Sequence, residues 1–282
     1  MLKNKIKNSE YSRKNVYKKK STLVVYLTLR LLVIVSGVLS ALRGDFQSLF
    51  LCVLSLILMI LPSVFERRFA VELPAVLEII ILLFIFSAEI LGEINSFYVR
   101  VPHWDTILHT MNGFLCAAIG FSLVDLLNRS DRFSLKLSPV YLAVVAFCFS
   151  MTVGVVWEFF EYGADNLLGI DMQKDAVVDR INSVLLDETK TNTVIKLKGI
   201  EDVILVYEDG TTQALGVGGY IDIGLHDTMK DLIVNFVGAV VFSVIGYFYV
   251  KARGRGKFAE QFIPIVKEIC DEGEKASPTD EK

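Results

Sequence analysis

Only six prolines, four cysteines and three histidines occur in the 282 residues, and each scarcity excludes something. Pro62, Pro74 and Pro102 fall near the ends of apolar runs. No run is therefore interrupted at its middle, as the broken helices of many carriers are. Cys52, Cys116 and Cys148 lie inside apolar runs and Cys270 lies in the C-terminal tail, so none is placed for an extracytoplasmic disulfide. No paired-cysteine zinc motif occurs. The glycine-rich "GVGGY" lacks the Lys and Ser/Thr of a phosphate loop, and no dinucleotide fingerprint is present. No period repeats along the chain.

Apolar length is what the chain has in quantity. Hydrophobic residues make up 53% and aromatics 11%, and mean hydropathy is +0.50. Runs of about twenty apolar residues recur, each long enough to cross a hydrocarbon core of ~30 Å. The fold class is therefore an all-α polytopic membrane protein. Six spans are predicted: Thr22–Leu42, Phe46–Phe65, Leu73–Leu91, Thr106–Leu127, Val140–Phe160 and Thr228–Val250. The first is too long for a signal-peptide core and no A-x-A-like site follows it, so it is read as a retained span.

Charge segregation sets the expected orientation. Lys3, Lys5, Lys7, Arg13, Lys14, Lys18, Lys19 and Lys20 precede span one. Arg67, Arg68, Arg129, Arg132 and Lys136 flank the second and fourth loops, and Lys251, Arg253, Arg255 and Lys257 follow span six. By the positive-inside rule both termini are cytoplasmic. The basic N-terminus beside a span reads as a topology signal or a contact to anionic lipid, not as a nucleic-acid arm. The chain then divides into a basic cytoplasmic tail (1–21), spans one to five (22–161), an extracytoplasmic insertion (162–226), span six (227–250) and a cytoplasmic tail (251–282) whose acidic tip is expected to be disordered. The insertion reads as a small α+β unit. An amphipathic helix is expected over Met172–Leu186, followed by a β-hairpin turning at Asp209-Gly210.

Carboxylates near the centre of a span cost about 2.5 kcal/mol or more each, yet "VVWEFFEYGAD" places Glu158, Glu161 and Asp165 on one helix. Spans four and six open on the same side with "HWDTILHTMNG" and "LHDTMKDLIVNFVG". At ~1.5 Å per residue, Asp105, Glu161, Asp165 and Asp227 lie within about 5 Å of the outer boundary, His109, Glu158 and Asp231 at about 7–8 Å, and Asn112 and Asn235 at about 12–13 Å. Spacings of three and four put each set on one helix face. Gly113, Gly154 and Gly238 allow close helix approach beneath them. These residues predict a polar chamber near the outer surface with an apolar floor.

One imidazole and several carboxylates at one depth suit a divalent metal. His109, Glu158 and Asp231 are the expected ligands, and an open position could activate water. Without a metal, clustered carboxylates can exchange protons. His109, Glu158, Asp231 and Glu161 are therefore the candidate catalytic groups, with Asp105, Asn112, Asp227 and Asn235 as candidate substrate contacts. The competing reading is that these groups only hydrogen-bond one another and lock the helices. His103 and Trp104 read as interface anchors, and Glu89 and Glu93 end span three on the same side. In the opposite leaflet Arg30 and Glu78 are expected to pair.

At "DTILH", "WEFFE" and "DTMKDLIVNFVG" the chain resembles the YjdF-like family of bacterial multi-pass membrane proteins, and more distantly the VanZ-like family. The likeness covers spans four to six and carries Asp105, His109, Glu158, Glu161, Asp227, Asp231, Asn235 and Gly238. It implies a bacterial cytoplasmic-membrane protein; the VanZ-like similarity adds a link to the cell envelope. Three functions remain open. The first is metal-dependent hydrolysis or transfer on a lipid or envelope precursor, or binding of one. The second is an ion-coupled transporter, against which the bare inner halves of spans four to six count. The third is a non-catalytic scaffold for an envelope protein.

Overall fold

The computed structural model describes residues 2–68, 71–129, 137–252, 256–263 and 265–266, without the side chains of 2–19, 126, 128–129 and 265–266. The side chains of Arg129 and of most basic residues of the N-terminus lie outside this description, as do Arg132, Lys136, Arg253, Arg255, Cys270 and the acidic tip.

Among the described residues, six helices are long and apolar enough to cross a membrane. Helix α1 (Leu2–Arg43) supplies the first over Lys20–Arg43. The second, Phe46–Arg68, is α2 (Phe46–Leu58) continued by α3 (Leu61–Arg68). It breaks just before Pro62, which has no N–H to continue the ladder. Asp45 caps α2 by accepting from the Ser48 backbone at 3.0 Å. The third span is α4 (Ala75–Phe86) running into a π-helical segment, Ser87–Ile94. A short α5 (Phe97–Arg100) then leads to α6 (Trp104–Arg129), α7 (Pro139–Leu168) and α8 (Leu225–Lys251). Span five runs past the expected Phe160 to Leu168, because no breaker intervenes before Gly169, whose φ of +65° closes the helix.

Between α7 and α8 lies a cap of six strands: β2 (Ala176–Val178), β3 (Arg180–Ser183), β4 (Ile195–Lys198), β5 (Ile204–Val206), β6 (Thr212–Ala214) and β7 (Tyr220–Asp222). They form three antiparallel pairs, β2–β7, β3–β4 and β5–β6. The amphipathic helix expected over Met172–Leu186 is not formed; β2 and β3 occupy that stretch. Asp165 accepts from the backbone of Met172 and Gln173, and Val177 and Ile181 pair with Ile221 and Leu197. Partners more than a dozen residues away thus override a local periodicity. The expected hairpin is present as β5–β6, with Asp209 accepting from Thr211 N at 2.9 Å in the turn.

At the opposite end, β1 (Val71–Glu72) pairs with β8 (Ile265–Val266). The segment after α8 folds back into the bundle instead of leaving it as a tail. Ala259, Phe262 and Ile263 are buried with Leu73 and Leu77, and the Phe262 ring lies 5.0 Å from that of Phe114. Arg30, expected to pair with Glu78, donates to the Tyr26 hydroxyl one turn earlier and lies over its ring.

Helices α6, α7 and α8 pack most closely. The buried stripes of α7, Leu142–Ala146–Ser150–Gly154–Glu158–Glu161, and of α8, Asp231–Asn235–Gly238–Phe242, turn into this three-helix packing. A methyl added at Gly238 would strike the Thr110 carbonyl oxygen, and one at Gly113 the Asn235 carbonyl oxygen. The outward faces of α1 and α2 expose Val24, Leu27, Leu31, Phe50 and Val53, as helices solvated by lipid do.

Gly238→Ala is expected to lose about 2 kcal/mol of stability or more. Gly163→Ala, where no atom lies within 4 Å, should be neutral; thermal unfolding of both variants in one detergent checks this. In the cap, Asp187 accepts from the Thr189 hydroxyl and from the backbone of Thr193, Thr189 and Thr191, which holds its carboxyl at about 2, below the ordinary 3.8. The stabilisation is thus complete above pH 4 and lost as pH falls toward 2. Amide shifts of Thr189, Thr191 and Thr193 should titrate with a midpoint near 2 by NMR, and lose that titration in Asp187→Ala.

Candidate functional site

Helix α6 begins, α7 ends and α8 begins at the cap, so the ionisable clusters of all three meet on one side of the bundle. The i, i+4 spacing of Asp105 and His109 brings His109 Nε2 to 3.4 Å from Asp105 Oδ1. The same nitrogen is 4.0 Å from Asp231 Oδ2. On the other side of the ring, His109 Nδ1 lies 3.9 Å from Glu158 Oε1. One imidazole therefore stands among carboxylates from three helices. Asp231 is 1% exposed and Glu158 5%. Asp231 Oδ1 and Glu158 Oε2 are buried without a hydrogen-bond partner, although such oxygens are normally satisfied.

Among the described residues, Asp105, His109 and Asp231 form a set that could share one ion, their ligand atoms all lying within 4.8 Å of one another. In a tetrahedral site with bonds near 2.1 Å, ligand atoms sit about 3.4 Å apart, so small side-chain movements close this set around an ion. This set contains His109 and Asp231 of the expected ligands, with Asp105 and without Glu158. Glu158 faces Nδ1 from 3.9 Å, beyond hydrogen-bond distance, on the side where a ligating histidine is usually oriented by a carboxylate.

Glu161, also buried, accepts from Trp157 Nε1 at 2.8 Å. Asp227 Oδ2 accepts from Lys174 N at 2.9 Å, while Asp165 binds Met172 N and Gln173 N. Gln173 in turn donates to Thr228. The loop after α7 is thereby tied across the chamber, and Asp165 and Asp227 act as its clamps. Below, Asn112 Nδ2 donates to Asn235 Oδ1 at 3.2 Å, and Asn235 reaches Met151 Sδ at 3.6 Å. This pair links α6 to α8. Gly154 leaves room for it, since a methyl there would come within 2.7 Å of Asn235 Nδ2. Ser150 donates to the Gly113 carbonyl at 2.7 Å. The floor is aromatic, with Phe114, Phe242 and Phe121 stacked edge to face.

Two further residues complete the site. Lys230 Nζ lies 3.2 Å from Asp105 Oδ2, 3.4 Å from Asp227 Oδ1 and 3.7 Å from Asp231 Oδ1. Its signal in the sequence was a single cation inside the acidic "HDTMKD". Tyr98 packs its ring on Gly92 of the π-helical segment. Burial first, then Glu93, Asp105, Glu89 and Glu161, push its phenol above the ordinary range. Glu89 is half-buried and Glu93 exposed. Trp104, expected as an anchor, donates from Nε1 to the Ser87 carbonyl at 3.3 Å.

Asp165→Ala should release the loop without emptying the chamber of acids. Amide exchange at Met172 and Gln173 is expected to accelerate about tenfold or more, the loss of one charge-assisted bond, while amides of α6 keep their rates. Hydrogen–deuterium exchange read by mass spectrometry checks both.

An uncharacterized protein of Thermotoga maritima is 24% identical over 136 residues, 48% of this chain and 68% of that protein. No solved structure matches. A family described as "Predicted membrane protein (DUF2238)" matches residues 22–193, consistent with the YjdF-like resemblance and covering spans one to five and the first half of the cap. With the match extending over more than half of its residues, the chain belongs to that family of membrane proteins.

Proposed function

We propose that the cap-side chamber binds a divalent cation through Asp105, His109 and Asp231 and acts on a membrane lipid or lipid-linked envelope precursor, by hydrolysis or group transfer at its headgroup. The observation that carries this reading is the convergence of one imidazole and two carboxylates beside buried carboxylate oxygens that lack partners. Glue between helices needs satisfied bonds; unsatisfied buried oxygens suit a ligand. A bound cation would supply Lewis acidity and a water that ionises near neutral pH. Glu158 would orient His109, and Glu161, held by Trp157, would be available to accept or return a proton.

A groove on the membrane-facing side supports a lipid ligand. It lies between α6 and α8, encloses about 360 Å³ and is lined by Ile107, Met111, Phe114 and Val241 with Thr106 and Thr110. Thr110 turns its hydroxyl to the Thr106 carbonyl at 2.7 Å, which leaves an apolar wall beside the polar cluster. Such a surface suits a hydrocarbon chain whose headgroup reaches the chamber laterally. The aromatic floor offers no polar route through the bundle and speaks against a carrier. Location in the bacterial cytoplasmic membrane, with both termini cytoplasmic and the cap outside, accords with Arg67, Arg68, Lys251 and Lys257 at the end away from the cap.

Elemental mass spectrometry of protein purified in mild detergent and dialysed against Mn²⁺ or Zn²⁺ tests the reading. About one ion per chain is expected in the wild type, falling at least about tenfold in His109→Ala and Asp231→Asn. A metal-free wild type with both variants equally stable would overturn the cation. With a cation present, release of headgroup from labelled phospholipid or lipid-linked sugar is the activity to follow.

A further inference from the structure

We infer that Lys230 is a built-in competitor for a divalent cation at the Asp105–His109–Asp231 cluster, displaced toward solvent when the cation binds. The inference rests on the cation reading above and concerns a residue outside that ligand set.

The geometry is specific. Each of the two carboxylates in the set is divided between the His109 imidazole and the Lys230 ammonium. Asp105 presents Oδ1 to His109 and Oδ2 to Lys230. Asp231 presents Oδ2 to His109 and Oδ1 to Lys230. An ion drawing on these carboxylates therefore meets the Lys230 charge a few ångströms away, and like charges at that range repel strongly in a partly dry site. Asp231 Oδ1 is buried and has no hydrogen bond; the ammonium at 3.7 Å is too distant to supply one. A stronger partner can therefore take that oxygen.

Exposure decides which cation gives way. The Lys230 side chain is 47% exposed against 1% for Asp231. Its flexible four-carbon stem can carry the ammonium back into water with no burial cost, whereas the carboxylates cannot follow. Asp227, tied to Lys174 N and also 3.4 Å from Lys230, remains a resting partner at the rim. Because the Lys230–Asp105 contact joins α8 to α6, exchange of one cation for the other also unties the two helices at the head of the lipid-facing groove.

The full-length protein in lipid nanodiscs would be titrated with Mn²⁺ by calorimetry at fixed pH. Lys230→Gln and Lys230→Met are expected to bind at least about tenfold more tightly than wild type, from removal of one nearby positive charge. Lys230→Arg should stay close to wild type and Asp105→Asn should bind more weakly. In the wild type, Mn²⁺ should also speed acylation of the Lys230 amine by a water-soluble reagent, read by peptide mass spectrometry. That second readout decides the matter if the neutral variants do not fold. Equal or weaker Mn²⁺ binding in folded Lys230→Gln, or acylation unchanged by a bound ion, would overturn the competition while leaving the cation site standing. No Mn²⁺ binding to any form would overturn both.

Discussion

The contact on which this site depends is between backbones. Gly113 of α6 and Gly238 of α8 let the two helices meet so closely that a methyl at either would strike a carbonyl oxygen of its neighbour. Small residues have this role in membranes because lipid supplies no hydrophobic force between helices, so association relies on close packing. Once α6 and α8 touch there, Asn112 and Asn235 fall within hydrogen-bonding distance, and one turn above them His109 and Asp231 face each other. Gly154 admits α7 to the same level, bringing Glu158 to the far side of the imidazole. The chemistry of the chamber is thus set by side chains that are absent below it.

Such a concentration of acid survives because each carboxylate has its own compensation. Asp165 and Asp227 receive backbone N–H groups from the loop after α7, Glu161 receives the Trp157 indole, and Asp105 receives His109 and Lys230. Asp231 and Glu158 are the exceptions, each with one buried oxygen lacking a partner. These two surround the imidazole together with Asp105. An incompletely satisfied polar network is costly where the dielectric is low.

Much of this was legible beforehand. Apolar runs of span length located all six membrane helices to within several residues, since a hydrocarbon core demands length and little else. The intervals between Asp105 and His109, between Glu158 and Glu161, and between Asp227, Asp231 and Asn235 marked one face of each helix. Their common side followed from counting spans. Which groups of the other helices would meet His109 was not legible, because a helical interval says which residues lie on a face but not how far the helix is rotated toward its neighbour. Asp105 shares the helix of His109 and approaches it through the i, i+4 spacing, whereas Glu158 and Asp231 depend on that rotation. The stretch Met172–Leu186 became two strands because Ile221 and Leu197, distant in sequence, were available to pair. The segment around Phe262 carried no periodic signal at all, and its burial depends on a slot between helices.

Taken by itself, the order of residues determined the class, the number of spans, the hairpin at Asp209-Gly210 and the gathering of ionisable groups on one side. These are consequences of helix rise, of side-chain period and of the exclusion of charge from hydrocarbon, all of them local. Only the tertiary structure decided that one imidazole divides its two nitrogens between Glu158 and the Asp105–Asp231 pair, that Lys230 spans α8 to α6, and that the asparagines bond to each other. Those outcomes depend on distances of a few ångströms between helices, set by the backbone approach at Gly113 and Gly238 and not by any one segment.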